Sequence, residues 1–350
     1  MSWRSCRLGD VLTLKRGHDL PEHSRQDGDV PVVSSSGITG RHKEAKEIAP
    51  GVVTGRYGTI GEVFYLEEDY WPLNTALYVI DFKGNDPKFS SYFLRNVLKG
   101  YQSEKAAVPG VDRNVLHEIK VRAPSHALQL RITDILSTYD DLIENNRRRM
   151  ALLEESARLL YREWFVRLRF PGYEHTPVVD GVPQGWDRKT LGASIVLNYG
   201  KALKAEIRIE GDYPVYGSSG IVGTHEKYLV QGPAIILGRK GNVGSVYWSS
   251  KPFYPIDTVY FVRPESSSLY LFYALKNMHF ISTDVAVPGL NRDFAYSRPL
   301  LHPPVTLLRS FHETVEPIHT QLDKLNEINQ KLRTARDLLL PRLMSGELAC

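Results

Sequence analysis

The sequence predicts an α/β (α+β) protein made of two β-rich mixed domains in tandem, each followed by a long helix. Its 350 residues are enough for two domains that each bury a core. One sequence pattern occurs twice, and each copy passes from short β-branched runs into a long heptad-spaced segment. The predicted boundaries are 1–124 and 171–303 for the domains, and 125–170 and 304–350 for the helices.

The composition is that of a globular protein with a mild excess of basic residues. The formal net charge is +4, with 42% hydrophobic and 24% charged residues, which is compatible with a nucleic-acid partner but does not require one. Cys6 and Cys350 have no CxxC partners, which argues against a disulfide framework or a cysteine zinc site. No signal peptide and no apolar stretch of about 18 residues is apparent, so a reducing cytoplasm is the expected location.

The internal repeat is the strongest signal in the sequence. Trp3 recurs as Trp186, 183 positions later, and the same offset holds as far as Thr75 and Thr258. It then becomes 179, which relates Val108-Pro109-Gly110 to Val287-Pro288-Gly289. Such self-similarity indicates a duplicated module, and two similar modules imply two similar ligand sites.

Each module begins with runs of β-branched and aromatic residues that Gly, Pro and Asp interrupt, a pattern typical of short strands. In the first copy these runs are VPVVSS, GVVTGRYG, EVFYLE and TALYVID, and in the second they are YPVYGSS, PAIILGRKG, SVYWSS and TVYFVRP. Helices are expected near residues 89–98 and 269–277.

Each module ends in a segment whose apolar positions alternate steps of four and three, which is typical of a coiled-coil seam. The predicted seam of the first helix is Ile132, Leu136, Tyr139, Ile143, Asn146, Met150, Leu153, Ala157, Leu160 and Trp164. That of the second is Phe311, Val315, Ile318, Leu322, Leu325, Asn329, Leu332, Arg336, Leu339 and Leu343. Packing of each helix on its own domain would also explain the pattern.

Polar residues interrupt both seams. Asn146 and Asn329 occupy non-equivalent positions, and a buried Asn fixes register and partner at a cost in stability. Pro317 is expected to kink or restart the second helix. Arg336 on the seam is expected to make the helix pairing less regular.

Three regions of each module are candidates for DNA contact. The first is a glycine hairpin with a basic tip, which carries Arg56, Tyr57 and Thr59 in one copy and Arg239, Lys240 and Asn242 in the other. The second is a serine-rich turn, with Ser34, Ser35, Ser36 and Gly37 in one copy and Ser218, Ser219 and Gly220 in the other. The third is a VPGxxR segment that ends in Arg113 or Arg292.

Arginine can bond guanine in two places, and short hydroxyls suit phosphates or base edges. Each feature also has a purely structural interpretation: a solvated hairpin tip, a plain turn, or an arginine held in a salt bridge. The two copies share their glycines but differ at the hairpin tips, so unlike half-sites are expected. The first seam spans about 48 Å at 1.5 Å per residue, which suits a target of two short half-sites with an unread gap.

The whole chain resembles the specificity subunit of type I restriction-modification enzymes. The residues that carry the resemblance include WRSCRLGDVLTLKRG, YPVYGSSGIVG with its partner VPVVSSSGITG, GRYGTIG, AAVPGVDRNVLHEIKVRAP and AVPGLNRDFAYSRPLLHPP. The helix endings ALLEESARLLYREWFVRLRFPG and KLRTARDLLLPRLMSGEL complete it. The resemblance covers essentially the full length, in the expected order.

The resemblance implies a division of labour. Each globular part would be a target recognition domain for one half-site of double-stranded DNA. The helices would pair as an antiparallel coiled coil that sets the gap and docks two modification (methyltransferase) subunits, which hold S-adenosylmethionine and methylate adenine. Separate ATP-driven restriction subunits would translocate and cut. This chain would be non-catalytic, with no cofactor, no metal and no membrane partner.

Two other functions are consistent with parts of the sequence. Asp112, Glu118 and Lys120 faintly resemble the metal site of a nuclease acting alone, but the second copy has Asn291, Ser297 and Pro299 there. A methyltransferase would need an NPPY-like tetrapeptide, which the chain lacks. A scaffold protein that binds other ligands through two modules stays possible on sequence grounds.

Overall fold

The computed structural model describes residues 3–56, 61–104, 111–281 and 289–348. The chain forms two compact units. Unit 1 comprises Met1–Asn145 together with Ile328–Cys350, and unit 2 comprises Asn146–Glu327. Each unit therefore contains one globular domain and a part of both long helices.

Within its described residues, the domain of unit 1 contains nine strands and two helices. The strands are β1 (Trp3–Arg7), β2 (Thr13–Arg16), β3 (Val30–Ser34), β4 (Gly37–His42), β5 (Gly51–Gly55), β6 (Val63–Leu66), β7 (Trp71–Pro72), β8 (Ala76–Asp81) and β9 (Lys120–Pro124). The helices are α1 (Pro87–Glu104) and α2 (Arg113–His117). The long helix α3 (His126–Tyr161) follows β9.

The nine strands of unit 1 form two sheets and a ribbon. The larger sheet has the order β2-β8-β5-β6 and the smaller β4-β3-β7, while β1 pairs with β9. All five residues of the internal strand β5 are buried, which explains its near-continuous apolar sequence GVVTG. Helix α1 is longer than predicted and starts where Asp86 Oδ1 accepts a hydrogen bond from Phe89 N at 2.6 Å.

Unit 2 repeats this architecture. Its strands are β10 (Val178–Val179), β11 (Val182–Pro183), β12 (Asp187–Thr190), β13 (Asn198–Tyr199), β14 (Tyr213–Gly217), β15 (Gly220–His225), β16 (Ala234–Gly238), β17 (Val246–Ser249), β18 (Tyr254–Pro255), β19 (Val259–Val262) and β20 (Pro299–His302). The helices are α4 (Leu269–Asn277), α5 (Arg292–Tyr296) and the long α6 (Val305–Ser345).

The strand orders of the two units correspond one to one. Sheets β13-β19-β16-β17 and β15-β14-β18 and the ribbon β12-β20 match those of unit 1, and the hairpin β10-β11 is additional. Even the cis peptide bonds preceding Pro50 and Pro233 lie 183 positions apart. The predicted fold class, with two mixed domains in tandem each followed by a long helix, is confirmed.

The predicted seam positions on α3 and α6 are buried or half-buried throughout. In unit 1, Ile132 and Leu136 of α3 share one core cluster with Leu340 and Leu343 of α6 and with the domain. In unit 2, Phe165, just after α3, packs on Phe311 of α6 with ring centroids 5.0 Å apart, inside the core of that domain. Each helix part thus contacts both the other helix and its own domain. The beginning of α3 meets the end of α6 in unit 1, and the reverse holds in unit 2.

The polar seam residues are buried as well. Asn329 is 2% exposed, and its side-chain amide donates to the Ile143 carbonyl at 3.4 Å. Asn146 is 8% exposed. Arg336 forms an ion pair with Asp140, whose other carboxylate oxygen accepts a 2.6 Å hydrogen bond from the Tyr92 hydroxyl. The charge of Arg336 on the seam is therefore met inside unit 1.

The expected restart at Pro317 is wrong, because α6 is continuous from Val305 to Ser345. A proline inside a helix removes one backbone donor and costs about 3 kcal/mol. Phe311 and Val315 before it and Leu322 after it are all buried. Burial of these side chains on both sides of Pro317 offsets the loss.

Candidate nucleic-acid interface

Each unit has a cleft where the loop after a buried strand meets the start of a short helix. Cleft 1, of about 600 Å³, is lined by Arg56, which follows β5, and by Arg113 at the start of α2. Cleft 2, of about 240 Å³, is lined by Arg239, which follows β16, and by Arg292 at the start of α5. The structure thus brings together arginines that the sequence analysis had placed in two separate motifs.

The backbone of the hairpin arginine is fixed in the same way in both units. In cleft 1 the Arg56 amide donates to the Thr75 carbonyl at 3.0 Å, and the Arg56 carbonyl accepts from the Val111 amide at 2.9 Å. In cleft 2 the matching bonds join Arg239 to Thr258 and to Leu290, at 2.9 and 2.7 Å. The backbone of this arginine is therefore held between the sheet and the segment that carries the second arginine.

The second arginine of each cleft is exposed at the first position of its helix. The preceding residue caps that helix in both units. The Asp112 side chain accepts from the Asn114 amide at 2.7 Å, and the Asn291 side chain accepts from the Asp293 amide at 2.8 Å. These caps fix the direction in which Arg113 and Arg292 leave the backbone.

Cleft 2 contains an aromatic stack that the sequence analysis missed. The Arg239 guanidinium lies 4.9 Å from the ring centre of Tyr199 and 5.7 Å from that of Tyr260. Arg292 lies 5.4 Å from Tyr199, so this exposed ring sits against both cations. Burial, and then a hydrogen bond with Tyr199, raise the pKa of Tyr260. Its neutral hydroxyl donates to the Leu290 carbonyl at 3.1 Å.

Cleft 1 replaces this stack with a third arginine. The residues 183 positions before Tyr199 and Tyr260 are Arg16 and Leu77, and both line cleft 1. Cleft 1 therefore holds three arginines against the carboxylate of Asp112. Cleft 2 holds two arginines and Lys240 against that of Asp293. Both clefts carry excess positive charge, but cleft 2 adds flat aromatic surface.

The serine-rich turn of unit 1 joins β3 to β4 and is stabilised internally. The Ser34 hydroxyl lies 3.0 Å from that of Ser36 and accepts a hydrogen bond from the Ser36 amide at 3.1 Å. Gly37 follows with φ of +99°, a conformation that favours glycine. Ser34 is buried, so of the four predicted residues Ser35 and Ser36 are the more accessible.

The serine-rich turn of unit 2 is tied to the glycine hairpin. The Ser218 carbonyl accepts hydrogen bonds from the Ser245 hydroxyl at 2.6 Å and the Tyr247 hydroxyl at 3.1 Å. The exposed side chains of this region are Ser219, Lys240 and Asn242, and Gly220 has φ of +101°. The turn and the hairpin therefore form one continuous surface. The predicted contacts Tyr57 and Thr59 in unit 1 lie outside the described residues.

The residues of the nuclease-like pattern have structural roles. Asp112 caps α2, and Glu118 forms a 2.5 Å ion pair with Arg7. Within the described ranges, no group of three or more His, Cys, Asp or Glu side chains is arranged to hold a metal ion. No helix among these residues is long and apolar enough to cross a membrane.

Comparison with known proteins identifies the family. The type I restriction modification DNA specificity domain matches residues 2–155 and 183–294, which is most of the chain and both modules. The chain belongs to this family. Type I specificity subunits are the non-catalytic components of their restriction-modification complexes, and this chain is accordingly a specificity subunit without a catalytic role of its own.

Two specificity subunits of known systems are similar to this one. The MjaIX specificity subunit of Methanocaldococcus jannaschii is 24% identical over 75% of this chain and 67% of its own length. The HindI specificity subunit of Haemophilus influenzae is 23% identical over 99% of both chains. Among solved structures, the S subunit of a type I system from M. genitalium superposes with a TM-score of 0.57, at 19% identity, over 98% of this chain and 96% of that one. This likeness supports the fold.

Proposed function

We propose that this specificity subunit reads a bipartite, asymmetric DNA target, with one half-site per unit. The observation that carries the proposal is the pair of clefts, which share a backbone frame and positive charge but present unlike side chains. A shared frame suits binding to the same kind of ligand, and unlike side chains suit different base sequences.

The chemistry of the clefts fits duplex DNA. An arginine can donate two hydrogen bonds to O6 and N7 of guanine, and further cations can neutralise phosphates. The stack on Tyr199 limits the freedom of Arg239 and Arg292 before binding, which lowers the entropy lost on contact. The exposed serines and Lys240 beside the clefts would add phosphate or base-edge bonds.

The helices are proposed to set the gap between half-sites as an antiparallel coiled coil and to dock the partner subunits. Beyond their buried seams they present exposed apolar side chains, among them Leu142, Leu152, Leu159 and Leu338. Two modification subunits would bind there and methylate adenine, and restriction subunits would translocate and cut DNA. The assembly would act on chromosomal DNA in the cytoplasm, and this chain would supply no cofactor site.

Mapping methylated adenines in cells tests the proposal directly. Cells with the intact gene should show one asymmetric, two-part methylated sequence that disappears on deletion of the gene. The Arg113→Ala/Arg292→Ala variant should fail to restore it, whereas Arg263→Ala, at an exposed arginine of unit 2 that neither lines the cleft nor lies on a long helix, should restore it fully. A palindromic target, or restoration by the double variant, would contradict the proposal.

Binding of the purified chain to random duplex DNA gives a second test. Neutralisation of phosphates releases counterions, so the affinity should fall steeply as salt rises. Affinity that is absent or independent of salt would favour a scaffold that binds another class of ligand.

A further inference from the structure

Unit 2 contains a groove of about 590 Å³ between its domain and its parts of α3 and α6. Aromatic side chains from the domain form one wall, with Trp248, Phe272 and Tyr273 as the main members. His319 of α6 lies at the same wall, where its Nε2 is 2.9 Å from the Tyr273 hydroxyl. Burial, and then the charge of Lys276, lower the pKa of His319 to about 4, so this ring is neutral near pH 7.

In unit 1 the equivalent tyrosine has a charged partner instead of a histidine. The 179-residue offset relates Asp140 to His319 and Ala157 to Arg336. In unit 1 the Tyr92 hydroxyl bonds to Asp140, which is paired with Arg336. In unit 2 the corresponding set is Tyr273, His319 and Ala157. The tyrosine contact is kept, but the guanidinium and its carboxylate are lost.

The groove of unit 2 nevertheless keeps carboxylates at its edge. Glu155 is used in a two-point bond with Arg158, at 2.7 Å for each contact. Glu154 and Asp323 also line the groove, and within the described residues neither makes an ion pair. Lys276 is placed 5.0 Å from the ring centre of Phe272. The groove is therefore lined by three carboxylates and two cations, which gives it a slight negative charge. The carboxylates are those of Glu154, Glu155 and Asp323, and the cations are Arg158 and Lys276.

This combination selects one kind of occupant. A flat cation gains from stacking on the half-buried ring of Trp248 and from the carboxylates of Glu154 and Asp323. A DNA phosphate would meet a net negative charge, and a purely apolar group would gain nothing from the two carboxylates. We infer that the groove binds an arginine side chain presented by a partner protein.

The inference rests on the proposed function only for the identity of that protein, which would be a modification subunit. The groove occurs in unit 2, whereas in unit 1 the residue equivalent to His319 is Asp140, which is already paired with Arg336. The partner protein would therefore be anchored differently at the two ends of the same subunit.

A titration with Nα-acetyl-arginine amide tests the groove without DNA or partner. Saturation-transfer NMR on the full chain should detect its binding, while the citrulline analogue, of equal shape but neutral, should bind at least about fivefold more weakly. Glu154→Gln/Asp323→Gln should weaken arginine amide binding by a similar factor. Glu206→Gln/Glu210→Gln removes the same charge from exposed sites of unit 2 and should have no effect. Equal binding of the two probes, or no loss in the groove variant, would overturn the inference.

The same variants then test the partner. The groove variant should bind a purified modification subunit about tenfold more weakly and should keep its affinity for duplex DNA, while the control variant should be unchanged in both. An unchanged affinity for the modification subunit would refute the assignment of the partner. If the chain alone self-associates and the groove variant does not, the occupant is a second copy, which also overturns that assignment. If the unsubstituted chain does not bind DNA, the proposed function is contradicted, whereas the binding of the arginine probe to the groove is unaffected.

Discussion

Unit 1 and unit 2 hold their cleft arginines by the same backbone hydrogen bonds but surround them with different side chains. Cleft 1 adds a third guanidinium from Arg16 beside Leu77, whereas cleft 2 adds the rings of Tyr199 and Tyr260. A cluster of cations suits the diffuse charge of phosphates, while stacked cations are held in fixed directions. The difference predicts that the proposed DNA binding depends more on charge in unit 1 and more on the geometry of the contacts in unit 2.

A second difference lies where the long helices meet each domain. Unit 1 has the charged set of Tyr92, Asp140 and Arg336, and unit 2 has the neutral pair of Tyr273 and His319. The backbone frame was kept after duplication, while side chains changed both in the clefts and next to the long helices. The two units should therefore respond differently to matched substitutions.

The largest effect is expected from the hairpin arginines. Arg239→Ala should weaken binding of the half-site read by unit 2 by up to about 100-fold, because a two-point contact to guanine contributes about 1–3 kcal/mol. Arg56→Ala should do the same for the other half-site. Binding to duplexes in which one half-site is scrambled measures each loss separately. Equal losses of affinity at both half-sites from either variant would show that the two units do not read separate half-sites.

Removal of Arg336 should destabilise unit 1. Arg336→Ala leaves Asp140 with the Tyr92 hydroxyl alone and should cost about 2 kcal/mol in the free energy of unfolding. This is less than for a fully buried pair, since the Asp140 side chain is 31% exposed. Urea denaturation, followed separately in each unit, measures this loss in the free energy of unfolding. Arg333→Ala, at an exposed position of the same helix, should change stability by less than about 0.5 kcal/mol.

Unit 2 should lose stability in mild acid because of His319. Its pKa is lowered to about 4 in the folded protein from an ordinary value of 6.5. Between pH 7 and pH 5 the unfolded chain therefore takes up a proton at this position that the folded chain does not. Stability should fall by on the order of 1–2 kcal/mol over this range.

His319→Gln should remove that part of the pH dependence, as measured by urea denaturation at pH 7 and pH 5. If the free energy of unfolding falls by the same amount between pH 7 and pH 5 in the variant and in the unsubstituted chain, groups other than His319 are responsible. Asp140 stands at the equivalent place in unit 1, so the contribution of this position belongs to unit 2 alone; burial also lowers the pKa of His117 in unit 1, and His319→Gln should leave that contribution unchanged.

A smaller effect is expected from the aromatic stack. Tyr199→Ala should weaken binding of the unit 2 half-site by about two- to fivefold, because an exposed cation–π contact contributes about 0.5–1 kcal/mol. Tyr199→Phe keeps the ring and should retain most of the affinity. If the Phe variant were as weak as the Ala variant, the hydroxyl rather than the stack would be the important group.

The smallest change should come from Arg16, as a change in salt dependence. Arg16→Gln removes one phosphate-neutralising charge from cleft 1 and should lower the slope of log affinity against log salt by about 1. A matched titration of Lys15→Gln, whose side chain is exposed but does not line the cleft, should leave the slope unchanged. A loss confined to one DNA sequence would instead assign Arg16 to base recognition.

Much of the fold could be predicted because the repeat marks residues that the backbone requires. The shared glycines identified the turns and hairpins, and the heptad spacing identified side chains that proved to be buried. The clefts were predicted only in part. Arg56 and Arg113 carry recognisable motifs, but nothing in local sequence shows that Val111 bonds to Arg56 and so brings the two together.

The residues that were missed are those where the copies differ. Comparison of the copies drew attention to identical positions, whereas Tyr199 and Arg16 are unlike and distinguish the two clefts. Pro317 was misjudged because local propensity cannot count the buried side chains on either side of it. The groove of unit 2 was unpredictable, since it brings together Glu154, Trp248 and His319 from three distant parts of the sequence.

The division of the chain into units has a consequence for how the protein is made. Unit 2 is one continuous stretch, Asn146–Glu327, whereas unit 1 needs the segment from Ile328 onward. Leu340, Leu343 and Met344 belong to the core of unit 1, so that core stays incomplete until the chain has been synthesised through Met344. During synthesis unit 2 can therefore fold before unit 1. Until then, the N-terminal domain of unit 1 keeps part of its apolar surface exposed.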